Sequence, residues 1–540
     1  MPDTTGFTPE LDIAVVGAGF AGLYMLHRAR DAGFSVRVFE AGSGVGGTWY
    51  WNRYPGARCD VESLEYSYSF SKDLREEWEW PERYSAQPDI ERYANHVADR
   101  FDLRRDIQLD TRVTSAVFDE DTQSWTVATD HGDLVTARYL VMATGCLSAA
   151  NLPSIPGRES FSHEWHHTGQ WPKEPVSFAG KRVAVIGTGS SAVQSIPVIA
   201  RDAAQLTVFQ RTPSFSLPAS NGPIPADEVA SYRANFDEIR AANLKMPGGT
   251  GARFKAATPQ PVLEVPVERR TDVFTHAWTA GGFSFMRSFT DIATNHAAND
   301  VAAEFVKGKI RDLVKDPQTA ELLCPEIPIG CKRMIIDSGY YETFNLPHVR
   351  LRDARVEPIE QITPTGIRTS NGDYEFDMIV YATGFDAMTG SLTRVDIRGR
   401  GGVLLRDAWE AGPRTYLGLS VADFPNMFTI TGPGSPSVLT NMLVSIEQHV
   451  DWIADCVAYL REQGLTTIEP TQRAQNAWVD HVNDVAARDI MHTDPSCNSW
   501  YLGANVPGKP RVFMPLPGLP AYIEKCNEVA ASGYEGFVLA

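Results

Sequence analysis

The chain reads as an α/β protein: two Rossmann-like, parallel-sheet nucleotide-binding domains, each discontinuous in sequence, with a helical insertion. Three observations predict this. A strand–glycine turn–helix–strand unit stands at 11–40, and a second stands at 181–212. Between about 222 and 331 the pattern changes to helical periodicity broken by Gly and Pro. At 540 residues the chain is long for one core, which favours two or three domains.

The first unit, "LDIAVVGAGFAGLYMLHRARDAGFSVRVFE", runs an apolar strand (Ile13 to Val16) into Gly17-Ala18-Gly19-Phe20-Ala21-Gly22. A helical pattern follows, then a second strand ending at Glu40. The strand-to-helix placement is what gives a GxGxxG its meaning. Gly17 allows the tight turn, Gly19 lets backbone approach a pyrophosphate, and Gly22 lets the helix pack close. The helix N-terminus then faces the phosphates with its partial positive charge. Glu40 can accept hydrogen bonds from ribose hydroxyls, which suits FAD.

The second unit, "KRVAVIGTGSSAVQSIPVIARDAAQLTVFQRT", carries the GxGxxA variant, Gly187-Thr188-Gly189-Ser190-Ser191-Ala192. Its second strand ends in Gln210-Arg211-Thr212 where the first unit has an acid. A carboxylate there would repel a 2′-phosphate and an arginine can pair with it, so this unit suits NADPH rather than NADH. "YLVMATGCLS" (139–148) and "DMIVYATGFD" (377–386) each read as a buried strand entering Ala-Thr-Gly, where the chain crosses between domains. These marks divide it into an FAD-binding domain (1–150 and 385–540), an NADPH-binding domain (151–221 and 332–384) and the helical insertion (222–331). The insertion shows two long helical patterns, "DEVASYRANFDEIRAANLKM" and "NDVAAEFVKGKIRDLVKD".

Composition narrows the function classes. Hydrophobic residues make up 43% and charged residues 21%, an ordinary folded balance. A formal net charge of -18 argues against nucleic acid and anionic membrane as partners. The opening "MPDTTGFTPELD" has no basic n-region or apolar h-region, so a cytoplasmic location is expected. The seven cysteines are scattered with no CxxC pair, which reads as reduced thiols rather than a disulfide frame or a zinc site.

Four stretches could carry chemistry. "FSHEWHHTGQWP" (161–172) is dense in His and Trp, and its neighbours on both sides favour a joint between domains over a metal site. "GGTWYWNRYPGARCD" (46–60) gathers Trp49, Tyr50, Trp51 and Tyr54 around a Pro-Gly turn; an isoalloxazine pocket and an aromatic core fit equally well. In "IGCKRMIIDSGYY" (329–341), Lys332 and Arg333 are either a solvated basic pair or point to opposite faces of an extended segment, one to a phosphate and one to the flavin. "ITGPGSPSVLTNML" (430–443) and "SCNSWYLGANVPGKPRVF" (496–513) read as loops over a pocket.

Together these motifs resemble the type I Baeyer–Villiger monooxygenases, over nearly the whole chain from Ile13 to about Leu516. The family marker F-x-G-x-x-x-H-x-x-x-W-P/D is met by Phe161, His167, Trp171 and Pro172, with His163 in the glycine position. The marker A/G-G-x-W-x-x-x-x-F/Y-P-G/M-x-x-x-D is met by Gly46, Gly47, Trp49, Tyr54, Pro55, Gly56 and Asp60. The resemblance implies that Gly17, Gly19, Gly22 and Glu40 hold the FAD pyrophosphate and ribose, and that Thr48, Trp49, Tyr50, Trp51, Asp60, Tyr66, Val113 and Met442 line the flavin. It implies NADP contacts from Arg58, Cys59, Asp60, Thr188, Gly189, Ser190, Ser191, Ala192, Val193, Gln194, Arg211, Thr212, Lys332, Arg333 and Trp500. Arg333 matches the catalytic arginine and Asp60 the carboxylate that positions it; no metal is implied. The activity implied is NADPH- and O2-dependent oxidation of ketones to esters or lactones through a C4a-peroxyflavin, with aryl-aliphatic ketones favoured and sulfides also oxidised. An N- or S-oxygenating flavin monooxygenase, or a flavin-binding protein without turnover, would share the two nucleotide units.

Overall fold

The computed structural model describes residues 8–252, 259–504, 506–509 and 516–540. Two parallel-sheet cores stand out. The first sheet has eight strands. Its centre is Leu11–Val16, flanked by Val36–Phe39 on one side and Leu134–Met142 on the other, all three parallel. Val16 stands in register with both Phe39 and Met142, so three strand ends finish at one level. This is a switch point, the place where an open α/β sheet leaves a crevice for a ligand. Val113–Asp119 and Ser124–Thr129 extend the sheet antiparallel beyond Leu134–Met142, and two late segments, Asp396–Arg398 and Met427–Thr429, return to join it.

The second sheet is wholly parallel and runs Val349–Asp353, Gln205–Gln210, Arg182–Ile186, Met378–Tyr381, Glu164–His167. Its inner strands, "RVAVI" and "MIVY", are almost continuously apolar because both faces are covered, one by helix Ser190–Asp202 and the insertion, the other by the small antiparallel sheet of 359–375. The chain enters this sheet, leaves for the helices, and returns through Ile335–Asp337, which pairs with Ser216–Pro218.

The insertion contains Ala226–Ala234, Phe236–Asn243, Val267–Ala280, His296–Leu313 and Pro317–Leu323. One expected helix, over 227–246, is two. Asn235 breaks it at φ −111°, ψ 21°, its side-chain amide donating to the Ser231 carbonyl at 2.8 Å. Such local side-chain bonding competes with helix continuation.

Two large cores hold the assembly. In one, helix Phe20–Asp31 packs its Leu23 and Leu26 against Ile453 and Val457 of the long helix Met442–Glu462. In the other, Ile196 and Ile199 of helix Ser190–Asp202 join Val306 and Ile310 of the insertion. Each such fully buried side chain contributes about 1.5–3 kcal/mol before entropy is subtracted. The reduced-thiol expectation needs correction: Cys331 and Cys497, 166 residues apart in sequence, are joined as a disulfide with Cα atoms 5.0 Å apart. No spacing rule reaches a pair that only the tertiary fold brings together. The remaining five cysteines are free and buried. No helix among the described residues is long and apolar enough to cross a membrane.

Candidate active site

The first glycine turn is built as its sequence requires. Gly17 adopts φ +105°, and a Cβ there would stand 2.7 Å from the Ala143 carbonyl oxygen. A Cβ on Gly22 would stand 1.8 Å from the Gly17 carbonyl oxygen, so helix and turn meet only through glycine. Gly19 caps helix Phe20–Asp31 with no side-chain cap, and no acid lies in the first turn. The opening N–H groups are thus free for an anion, the donor set a pyrophosphate requires. Glu40 is buried; its two carboxylate oxygens accept from the backbone N–H groups of Ala18 (2.7 Å) and Gly42 (2.8 Å). Burial raises its pKa against the pull of those bonds, and each oxygen keeps a lone pair for a ribose hydroxyl.

The second turn repeats the design. Gly187 takes φ +114° against the Ala382 carbonyl, and Gly189 caps helix Ser190–Asp202 with no side-chain cap and no acid in its first turn. A Cβ on Gly189 would meet nothing, so the space over this turn is open. Thr188 Oγ1 donates to the Thr212 carbonyl at 2.8 Å, tying the turn to the end of the second strand. Arg211, exposed there, lies near enough to Lys332 to lower its pKa further after the larger effect of burial. Two neighbouring cations at this strand end fit a phosphate.

The aromatic stretch locks the two units together. Gly47 packs backbone to backbone with Gly19; a Cβ at 47 would stand 2.8 Å from the Gly19 Cα. Trp49 Nε1 donates to Tyr66 Oη at 3.0 Å, and both rings belong to the first core. Across the seam, Tyr54 Oη donates to Gln194 Oε1 at 2.8 Å and Gln194 Nε2 donates to the Arg58 carbonyl at 3.1 Å. Gly56, at φ +81°, lies against the Gln194 carbonyl, which would stand 2.3 Å from a Cβ. The Tyr-Pro-Gly of the marker is therefore a docking surface for the second unit's helix. Arg58 gives its guanidinium to Glu82 and the Tyr84 carbonyl, and its own carbonyl is the atom that faces Gln194.

Arg333 reaches into this seam. Its Nε meets Asp60 Oδ2 at 2.5 Å and its Nη2 meets Asp60 Oδ1 at 3.1 Å, a two-pronged pair, while Nη1 donates to the Val438 carbonyl. Burial acts to lower the Arg333 pKa, but Asp60, with Tyr501 behind it, outweighs burial and holds the group above its ordinary value. About 24% of its side-chain surface stays open. An apolar floor of Cys146, Met388, Val438 and Tyr501, with Leu439, Met442 and Trp500 at its edge, lies beneath. The Cys331–Cys497 disulfide joins the segment bearing Lys332 and Arg333 to the one bearing Trp500 and Tyr501. Lys509 Nζ clamps the latter to the crossover by meeting Asp386 Oδ1 (2.5 Å) and the Ala387 carbonyl (2.7 Å). Asn505 and 510–515 of that loop lie outside the described residues.

The segment 161–172 is a structural seam. Glu164–His167 forms the edge strand of the second sheet. His167 is buried, its Nδ1 accepting from Gly169 N–H at 3.0 Å beside the backbone of Asn151 and Gly384, the two crossover segments. Burial lowers its pKa to about 4, so it is neutral. His163 does not take a positive φ, so it stands in the family's glycine position without backbone strain.

Of the expected residues, Gly19 packs on Gly47, Trp49 bonds Tyr66, Gln194 bonds the Arg58 carbonyl and Arg333 bonds Asp60, with Met442 and Trp500 at the edge of the apolar floor. Val113 is buried on its strand in a separate core. Sequence reading missed Tyr501, Cys146 and Lys509; only adjacency to Trp500 and to the Gly-Lys-Pro turn marked two of them. A cavity of about 690 Å³ lies elsewhere, between helix Lys72–Glu77 and the insertion, lined by Trp78, Trp80, Tyr93, Tyr232 and Phe236 among others; none of its lining belongs to the expected site.

Comparison with known proteins bears on the family and the fold. A family described as pyridine nucleotide-disulphide oxidoreductase matches residues 14–232. A Baeyer–Villiger monooxygenase of Pseudooceanicola batsensis is 44% identical over 98% of this chain and 96% of its own length. A phenazine N-monooxygenase of Lysobacter antibioticus is 44% identical over 98% of this chain and 97% of its own. An oxidized steroid monooxygenase bound to NADP superposes with a TM-score of 0.92 at 53% identity, covering 98% of this chain and 99% of that one.

Proposed function

The chain belongs to the type I Baeyer–Villiger monooxygenases, and from that premise we propose that it oxidises ketones, aryl-aliphatic ketones foremost, with Arg333 and Asp60 as the reactive pair. The reaction takes a ketone, O2, NADPH and a proton to an ester or lactone, NADP⁺ and water. FAD and NADPH are its cofactors. The domain allocation follows: 1–150 with 385–540 for FAD, 151–221 with 332–384 for NADPH. Because the reaction consumes NADPH, we assign the protein to the cytoplasm.

FAD, which the first glycine turn and Glu40 would hold, would supply oxygen activated for attack on a carbonyl once reduced by NADPH. The chain supplies the rest. Negative charge builds on oxygen during the attack, and a fixed positive charge beside it lowers the barrier. Arg333 can hold that charge without releasing a proton, because its pKa lies above any working pH and Asp60 raises it further. A lysine could protonate the oxygen and quench the nucleophile. Asp60 and the Val438 carbonyl fix the guanidinium plane, so little reorganisation is needed when charge appears. The Cys146–Val438–Tyr501 floor keeps water from the reacting atoms. Arg211 and Lys332 would grip the 2′-phosphate, and Trp500 would close over the nicotinamide half.

The observation that supports this reading is the two-pronged Arg333–Asp60 pair at the seam of two glycine turns. A ketone panel with FAD-loaded protein, NADPH and air, read by mass spectrometry for products one oxygen heavier, tests it; NADPH consumed without any ester would sink it. Sulfides belong in the panel as secondary substrates. A second reading, N-oxygenation, rests on the phenazine N-monooxygenase relative; phenazine in the same panel, giving N-oxide and no ester from any ketone, would select it.

A further inference from the structure

A small recess beside the reactive pair is used by none of the steps above. Asp60, Glu62, Glu65, Tyr84, Phe283 and Arg287 contribute to its lining. It communicates with the pair through Phe283, whose ring centre is 5.7 Å from the Arg333 guanidinium carbon. Its carboxylates are engaged. Asp60 is held by Arg333, Glu62 lies 3.4 Å from Arg83, and Glu65 accepts from Gly251 N–H at 2.8 Å and from the Thr250 hydroxyl.

Arg287 is different. Among the described residues no hydrogen bond or ion pair holds its guanidinium. Burial lowers the Arg287 pKa, with Glu65 and Tyr84 only partly restoring it through space. Arg287 is half-buried, and a guanidinium whose fork opens on a recess without a described partner offers an anion two parallel donors. The fold makes room for it on purpose: a Cβ at Gly251 would stand 1.6 Å from Arg287 Nη1. The recess holds about 20 Å³, the room of one water, which suits a single polar terminus rather than a whole substrate.

We propose that Arg287 is a specificity-determining residue that binds a carboxylate carried by the ketone, remote from the reacting carbonyl. A carboxylate matches the planar fork, and one of its oxygens fits the room of a single water. This rests on the ketone-oxidising reading of the site and names the substrate class within it.

Titration calorimetry on FAD-loaded protein, with phenylacetone and its para-carboxy analogue as probes, tests the inference directly. In Arg287→Leu the carboxylated ketone should bind about 10- to 100-fold more weakly, while the neutral ketone changes by less than about twofold. Arg287→Lys, which keeps the charge and loses the fork, should fall between and also serves if the leucine variant does not fold. Equal losses for both ketones, or none for the carboxylated one, would overturn the proposal and leave Arg287 as a through-space counter-charge for Glu65. Product analysis separates the two levels. Ester from the neutral ketone, with no Arg287 dependence for the carboxylated one, removes this inference alone, whereas ester from neither removes the reading beneath it and the binding arm still judges Arg287.

Discussion

Replacing Arg333 by alanine should separate two half-reactions that share one site. The guanidinium makes three hydrogen bonds, two to Asp60 and one to the Val438 carbonyl. None involves the elements that hold the first glycine turn. Flavin binding and reduction by NADPH should therefore persist, slowed by less than about tenfold, since Lys332 and Arg211 still offer charge to the coenzyme. Ester formation should fall by about 10²–10³-fold, the ~3–4 kcal/mol attached to one preorganised charge in a water-poor site. The alanine variant also strands Asp60, whose side chain keeps 27% exposure. That partial exposure limits the destabilisation, and Arg333→Ala/Asp60→Ala should be no less stable than the single variant. The assay pairs stopped-flow anaerobic reduction with ester yield per NADPH consumed in air. Hydrogen peroxide should replace ester as the oxygen product. An Arg333→Ala enzyme that keeps its ester yield per NADPH would refute the reasoning, because no other described cation contacts Asp60.

Coenzyme choice should follow the Arg211–Lys332 neighbourhood: alanine at either position raises KM for NADPH about tenfold or more and leaves NADH almost unchanged, and equal kcat/KM for both coenzymes in the parent enzyme would contradict it. Thiol titration of the unreduced, unfolded chain should find five free thiols of the seven cysteines; finding seven would remove the Cys331–Cys497 bond. If the bond is present, Cys331→Ser should lower the unfolding free energy by at most on the order of 5 kcal/mol, the chain-entropy value for so long a loop. Acid should destabilise the fold through His167, His449 and His492, which burial holds at about 4, about 3 and about 4, against 6.5 in the unfolded chain. The unfolded chain takes up protons that the fold refuses. Stability is therefore full above pH 6.5 and declines as pH falls toward 4, by up to ~1.4 kcal/mol per unit per histidine. Urea unfolding across that interval measures it, and a flat profile would show the three rings are not held neutral.

The nucleotide units were legible in the amino-acid order because their chemistry is local. Gly22 answers a clash with the carbonyl of Gly17, five residues back in the chain, and each helix start follows directly on its strand. The Tyr54-Pro55-Gly56 marker was legible as a pattern, but its reason was not, since Gly56 answers a carbonyl on a helix more than a hundred residues away. The helical pattern at 227–246 misled because periodicity does not register one asparagine turning its amide onto its own backbone. The Lys332–Arg333 ambiguity closed for the same reason that it existed: two adjacent basic residues carry no information about which partners the fold presents.

What the sequence determined by itself was two strand–turn–helix units, the sign of charge each presents to a ribose, and a family pattern spread along the chain. These depend on backbone sterics and on residues close in order. The tertiary structure alone decided that Arg333 meets Asp60, that Cys331 meets Cys497, and that Arg287 lines the recess beside them with no hydrogen bond or ion pair to a carboxylate among the described residues. Those are pairings at long sequence separation, where many partners are compatible with any one residue and only the packing of two cores chooses among them.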